Sequence, residues 1–383
     1  MASIRRSRPR PLSNVDAAWL GMEDPTNLMM VTGLMVFDEP LNFERLQATI
    51  THRLLKHRRF RERVVQPRGR LRKPRWEADP HFTLSAHLVR LALPHPGDRA
   101  ALETVVSTLM STPLDYSKPL WQVHLLENYN GGCALLARLH HCIADGIALM
   151  HVLLSLTDDG PDAPWPGPAG ADDREQNRLA SLLESAAVTA VRTIRRAETL
   201  AREGRETLST PSRALELAKV GADGATAAAR LLLRLPDPKT IFKGPLGVKK
   251  VAAWSEPIPL QDVKAIGRVT GGTVNDILLT AMTGALRRYL QHRGEAVDGL
   301  SFRAVVPVNL RPPEAAHTLG NQFGLVFLSL PVGIADPVDR LFTLKKNMDA
   351  LKGTPEAVVA LGILGASGVS KSLRYRDAVA KSA

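Results

Sequence analysis

Two cysteines in 383 residues, Cys133 and Cys142, are too few for a disulfide framework and fit a reducing compartment. Aromatic side chains make up only 5% of the chain, and few fall among its basic residues. That scarcity argues against a single-strand nucleic-acid binder, whose bases stack on interleaved rings. No recognition helix, zinc knuckle or ribonucleoprotein pattern occurs either, so no nucleic-acid partner is expected. No apolar run reaches the ~18 residues that suggest a membrane span. Arg5 and Arg6 imitate a twin-arginine signal, but Pro9 and Pro11 arrive before any apolar region, so the start reads as a basic tail. The expected location is cytoplasmic, not secreted.

Hydrophobic residues make up 44% of the chain, ample for a core. The length exceeds one typical domain of roughly 100–200 residues, which favours two domains or one two-lobed unit. The net charge of +12 is regional. Residues 1–11 hold four arginines and no acid, and residues 51–76 hold eleven Lys/Arg against Glu62 alone. Residues 174–250 hold fifteen Lys/Arg against eight acids. Such patches attract anionic lipid, a polyphosphate ligand or nucleic acid, although a solvated face is the simpler reading of any charge run.

The segment with most chemistry is Leu139-His140-His141-Cys142-Ile143-Ala144-Asp145-Gly146. An imidazole exchanges a proton near neutral pH, and a nearby carboxylate can fix its orientation. Gly146 permits a positive φ or close approach of another group. Buried, satisfied histidines at a strand end are the plain alternative. Cys142 offers a Cys/His nucleophile as a second option. Metal binding is not expected, because adjacent histidines on a strand point to opposite faces, unlike the i, i+4 pair of a zinc helix.

In chain order, Ser13 or Asn14 caps a first helix, and 28–37 is a buried strand. An amphipathic helix is expected over 43–57, a strand over 81–93 and a helix over 98–110. Strands over 121–127 and 133–140 flank Asn128-Tyr129-Asn130-Gly131-Gly132, a hairpin signal. The histidines therefore end the second hairpin strand, with Asp145-Gly146 in the turn before a helix over 147–156. Residues 158–173 read as a linker. Basic amphipathic helices follow from 179 to 194 and from 212 to 235, a pairing suited to a membrane surface or to the protein's own body. Residues 244–253 are extended, 261–269 is a short helix, and Gly272-Thr273-Val274-Asn275-Asp276 opens a helix to about 293. Strands over 302–309 and 325–330 and helices over 336–351 and from 354 to about 380 close the chain.

Five markers then stand in fixed order: Pro119-Leu120-Trp121, His140-His141 to Asp145-Gly146, Asn275-Asp276, Pro307-Val308-Asn309-Leu310-Arg311 and Gly320-Asn321-Gln322-Phe323-Gly324. With the opening Leu12-Ser13-Asn14-Val15-Asp16-Ala17-Ala18-Trp19, they resemble the bacterial wax ester synthase/acyl-CoA:diacylglycerol acyltransferase family, from about residue 11 to about residue 350. The His-His-Asp-Gly motif alone indicates only the wider coenzyme A-dependent acyltransferase superfamily; the Pro-Leu-Trp and Asn-Asp motifs narrow it.

The resemblance implies an α/β (α+β) fold of two chloramphenicol-acetyltransferase-like lobes, with mixed sheets flanked by helices, a helical crossover and a channel between the lobes. Residues 11–157 are expected as the N-terminal lobe, 158–250 as linker and crossover, and 251–383 as the C-terminal lobe. It implies fatty acyl transfer from acyl-CoA, a substrate and not a cofactor, to diacylglycerol or a long-chain alcohol. The expected setting is a peripheral one, on the inner membrane face or lipid droplets. His141 is then the base, His140 its support, and Asp145 a brace for the loop with Arg311 as partner. Asn275 orients substrate or assists the oxyanion, and Asp276 supports its helix start. Pro119, Leu120, Trp121 and Gly146 are placed at the substrate, with Leu120 and Trp121 shaping an acyl tunnel. No metal or cofactor is expected. The family continues into a Ser-Asn-Val-Pro-Gly-Pro segment and further strands absent here, so an incomplete second lobe is expected. A relative that only binds lipid or a partner is the alternative function.

Overall fold

The computed structural model describes residues 9–66, 73–158, 160, 162–167, 236–311, 319–352 and 354–367. The helices expected over 179–194 and 212–235, the tail beyond 367, and part of the Arg68–Arg75 run lie outside these residues.

The centre of the N-terminal half is a mixed sheet in the order β2-β7-β6-β5. β2 (Met30–Phe37) and β6 (Trp121–Tyr129) flank β7 (Gly132–His140) antiparallel, and β5 (Leu88–Ala92) joins β6 parallel. The β6–β7 hairpin turns where the sequence expects it, through positive φ at Asn128, Asn130 and Gly131. All nine residues of β7 are buried. Leu135, Ala137 and Leu139 enter one core cluster, whereas Ala134 and Leu136 enter another with Leu102 and Val106. Both faces are covered, which is why this stretch alternates so poorly in sequence.

Side chains set the helix starts. Ser13 accepts from the Asp16 amide to begin α1 (Asn14–Gly21), and Asp98 accepts from Ala101 N to begin α3 (Arg99–Met110). Asp145 does the same for α4 (Gly146–Leu154). The helix expected over 43–57 is shorter. α2 (Phe43–Thr49) widens into a π turn at Ile50–Leu54, and a 3-10 turn follows at Arg58–Phe60. Ile50, Leu54 and Phe60 are all buried in this arrangement. The strand expected over 81–93 covers only β5, because Asp79 accepts from the His81 amide and a 3-10 turn occupies Leu84–Ala86. Within the basic block, β3 (Glu62–Val65) and β4 (Arg75–Ala78) pair with each other and with β1 (Arg10–Pro11). Val64 and Trp76 turn inward there, so those residues form a sheet rather than only a solvated face.

In the C-terminal half, α5 (Leu260–Thr270) stops at Gly271, whose φ of 66° is left-handed. A Thr273–Asp276 capping box opens α6 (Val274–His292). β8 (Phe302–Asn309) and β9 (Phe323–Leu330) pair antiparallel, and α7 (Pro337–Lys352) and α8 (Glu356–Ser367) follow. Leu290, Leu328, Leu330, Leu344 and Met348 form this half's core. α8 packs on β9 and also on α1. The approach is close: a Cβ on Gly324 would lie 2.0 Å from the Ala357 carbonyl oxygen. The halves therefore meet behind the end of β7.

Candidate active site

β7 ends at His140, and the chain turns immediately. His140 is almost fully buried; its Nδ1 accepts from the Cys142 amide at 3.0 Å. A neutral His140 thus carries its proton on Nε2, which lies 3.5 Å from Glu23 Oε2. Glu23 also accepts from Met29 N at 2.6 Å. Burial raises the Glu23 carboxyl, but the bonds from His140 and Met29 outweigh it and hold the group below its usual range. Tyr116 stands edge-on to His140, with its hydroxyl pushed up by burial and by Glu23.

His141 is half-buried in a different environment. Its ring stacks on Trp19 at 4.2 Å and 11°, with Phe323 at 5.7 Å. Nδ1 lies 3.3 Å from Asn321 Oδ1. Among the described residues, Nε2 makes no hydrogen bond. Burial lowers the pKa of this imidazole, partly offset by Asn321 and by its own carbonyl. A lowered pKa favours the neutral ring, and an Nε2 without a hydrogen bond among the described residues is the form a general base needs.

Asp145 faces away from that task. Oδ1 accepts from Ala148 N at 2.9 Å; Oδ2 accepts from Arg311 at 2.6 Å and from Gln322 N at 2.9 Å. Arg311 also donates to the Gly320 carbonyl at 2.7 Å. The carboxylate caps α4 and clamps the Gly320–Gly324 segment to the histidine turn, and no hydrogen bond joins it to His141 among the described residues. Arg311 is the partner that the motif suggested.

A second ion pair lies behind His141. Asp16 is fully buried; it accepts from Arg59 at 3.1 Å and from Asn321 Nδ2 at 2.8 Å. Arg59 also reaches the Cys142 and Ile143 carbonyls. Sequence reasoning assigned no role to Asp16, Trp19, Arg59, Asn321, Phe323 or Glu23. Four of them sit inside quoted markers, so their presence was visible and their convergence was not.

The other predicted residues stand further back. Leu120 and Trp121 are sealed in the core, Trp121 donating to the Phe60 carbonyl at 2.9 Å and stacking on His87. The Leu120 carbonyl accepts from His140 N at 3.0 Å, so Pro119-Leu120-Trp121 fixes the strand end from beneath. Gly146 starts α4 without a positive φ, and the space beside its Cα is open. Asp276 closes its capping box at 2.8 Å to Thr273 N. Asn275 is exposed on the first turn of α6, with no hydrogen bond to His141 among the described residues. Cys142 is fully buried with its thiol driven well up by desolvation, which removes it as a nucleophile. Among the described residues no group of three or more His, Cys, Asp or Glu converges to hold a metal.

The fold gives the structural class. It is similar to a wax ester synthase/diacylglycerol acyltransferase from Marinobacter aquaeolei, with a TM-score of 0.61 at 22% identity over 96% of this chain and 80% of that one. It is also similar to the first condensation domain of the calcium-dependent antibiotic synthetase, with a TM-score of 0.56 at 14% identity over 92% and 76% of the two chains. The sequence then narrows the class. Residues 12–278 match the wax ester synthase/diacylglycerol acyltransferase catalytic domain, and 319–377 match the C-terminal domain of the same family. A putative diacylglycerol O-acyltransferase of Mycobacterium bovis and a probable one of Mycobacterium tuberculosis are each 30% identical over 351 residues, covering 89% of this chain and 71% of theirs. The chain belongs to the wax ester synthase/diacylglycerol acyltransferase family, and it is an acyltransferase.

Proposed function

We propose that this protein transfers a fatty acyl group from acyl-CoA to the hydroxyl of diacylglycerol or a long-chain alcohol, with His141 as general base. The observation that carries this reading is the His141 ring: bonded at Nδ1, without a hydrogen bond at Nε2 among the described residues, and shielded by Trp19 and Phe323. Nε2 takes the acceptor's proton as its oxygen attacks the thioester carbonyl. The tetrahedral intermediate then expels the coenzyme A sulfur, which recovers the proton from Nε2 as the thiol. Ester and free coenzyme A are the products, and the base ends as it began. Asp145 and Arg311 hold the turn, His140 anchors it through Cys142 N, and exposed Asn275 is the amide available to substrate.

The acceptors are membrane lipids, and a peripheral setting follows. Residues 236–256 cross from the C-terminal half, where Asp237 pairs with Arg303, to the N-terminal half, where Lys250 N donates to Ser111 Oγ. Leu246, Val248 and Val251 are 62%, 54% and 74% exposed on this strap. Lys239, Lys243 and Lys249 lie among them, with no acid between Asp237 and Glu256, whereas Lys250 Nζ is held by the Thr26 and Gly247 carbonyls. Apolar side chains among lysines suit an anionic lipid surface. No helix among the described residues is long and apolar enough to cross a membrane.

The test is release of coenzyme A from palmitoyl-CoA with dioleoylglycerol or hexadecanol presented in vesicles, with the ester identified by chromatography. Release that requires an acceptor is expected, faster on anionic than on neutral vesicles, with that advantage lost in about 0.5 M salt. Vesicle binding without acceptor-dependent release would instead favour a lipid-binding module.

A further inference from the structure

The proton on His141 has to be placed before Nε2 can act as a base. We propose that Asn321 sets the tautomer of His141 and that Asp16 sets the orientation of Asn321. Asn321 does not touch the reacting atoms; it is a positioning residue.

Donors and acceptors fix the amide. The Asn321 side-chain nitrogen lies 2.8 Å from Asp16 Oδ1 and 2.8 Å from the His141 carbonyl oxygen. Both are acceptors, and one belongs to a carboxylate paired with Arg59. Turning the amide over would set its oxygen against both, two repulsive contacts in a buried site. The amide is therefore held with Oδ1 toward His141. Oδ1 can only accept, so Nδ1 of His141 must donate across the 3.3 Å between them. Nε2 keeps its lone pair.

Packing supports the same state. Trp19 stacks on one face of the ring and Phe323 closes beside it, so rotation that would exchange the two nitrogens is blocked. Arg59 fixes Asp16 from behind, over the Trp76 ring. The charged and titratable groups around His141 are His140 and Asp145 on its own segment, with Asp16 and Arg59 behind Asn321. None of them bonds to its ring nitrogens among the described residues; the acceptors at the ring are Asn321 Oδ1 and the His141 carbonyl, and of these only Asn321 comes from another element.

The inference rests on the reading of His141 as the base, and its test is separate from that reading. Long-range proton–nitrogen spectra of histidine-labelled protein at pH 7.5 report which ring nitrogen carries hydrogen, with His141 assigned by its loss in His141→Gln. The wild type is expected to be protonated at Nδ1. Asn321→Ala should shift His141 toward Nε2–H or a mixture. Its kcat should fall about 10- to 1,000-fold, with KM for acyl-CoA changed no more than about twofold. Asp16→Asn, which frees the amide to turn, should also give a mixture. A purely structural Asn321 would lower the melting temperature and leave the Nδ1–H signature intact. Nε2–H in the wild type, or unchanged Nδ1–H in Asn321→Ala, would overturn the proposal. The wild-type spectrum decides even where a variant fails to fold. Full activity in a His141 variant would sink the base and leave the tautomer result standing.

Discussion

At His141, burial and two hydrogen-bond acceptors pull in opposite directions. Desolvation disfavours the imidazolium, while the Asn321 oxygen and the ring's own carbonyl favour it; burial wins and the pKa falls. A general base works only when unprotonated. The rate should therefore rise with pH and reach half its plateau below 6.5, the usual value for histidine. The pH dependence of kcat/KM measures this directly, and a midpoint above 6.5 contradicts it. His141 was legible in the sequence because adjacent histidines and an Asp-Gly form a local pattern. Its orienting residue was not, because Asn321 and Asp16 are 305 residues apart and meet only in the folded chain. The acidic residue of the motif is a natural guess as the histidine's partner, yet the oxygens of Asp145 bond to Ala148 N, Gln322 N and Arg311.

Between elements, the Gly320–Gly324 segment explains its own composition. Gly320 has a φ of 129° and offers its carbonyl to Arg311 and to Asp145 N. Asn321 meets His141 and Asp16, and Gln322 gives its amide to Asp145. Phe323 closes on His141 and Trp19, and Gly324 leaves room for α8. The motif was visible as a string, but the reason for each letter is tertiary. The same holds for β3 and β4, where Arg63 precedes Val64, Arg75 and Glu77 flank Trp76, and charge conceals the period. The Asp145–Arg311 pair is buried on both sides. Arg311→Ala should cost about 3–5 kcal/mol, because it strands a buried carboxylate. A clear drop in melting temperature is expected, with little recovery in Arg311→Lys, which keeps the charge and loses the fork. An unchanged melting temperature would mean that the clamp does not hold the two halves together.

Across the whole molecule, hairpin, cap and period-two signals placed the central sheet, and the motif order placed the family. The sequence predicts an extended stretch over 244–253, and the exposed apolar residues of the 236–256 strap emerge only from the three-dimensional arrangement. The site is assembled from α1, the turn after β7, Arg311 just past β8 and the start of β9, so neither half of the chain contains it alone. A buried ion pair and an asparagine bridge connect these distant parts around the His141 ring, whose Nε2 makes no hydrogen bond among the described residues. The most direct measurement is kcat/KM for coenzyme A release from palmitoyl-CoA with a saturating acceptor, in wild type and in folded His141→Ala. Loss of at least about 100-fold is predicted. A folded His141→Ala protein that turns over at the wild-type rate would contradict the account.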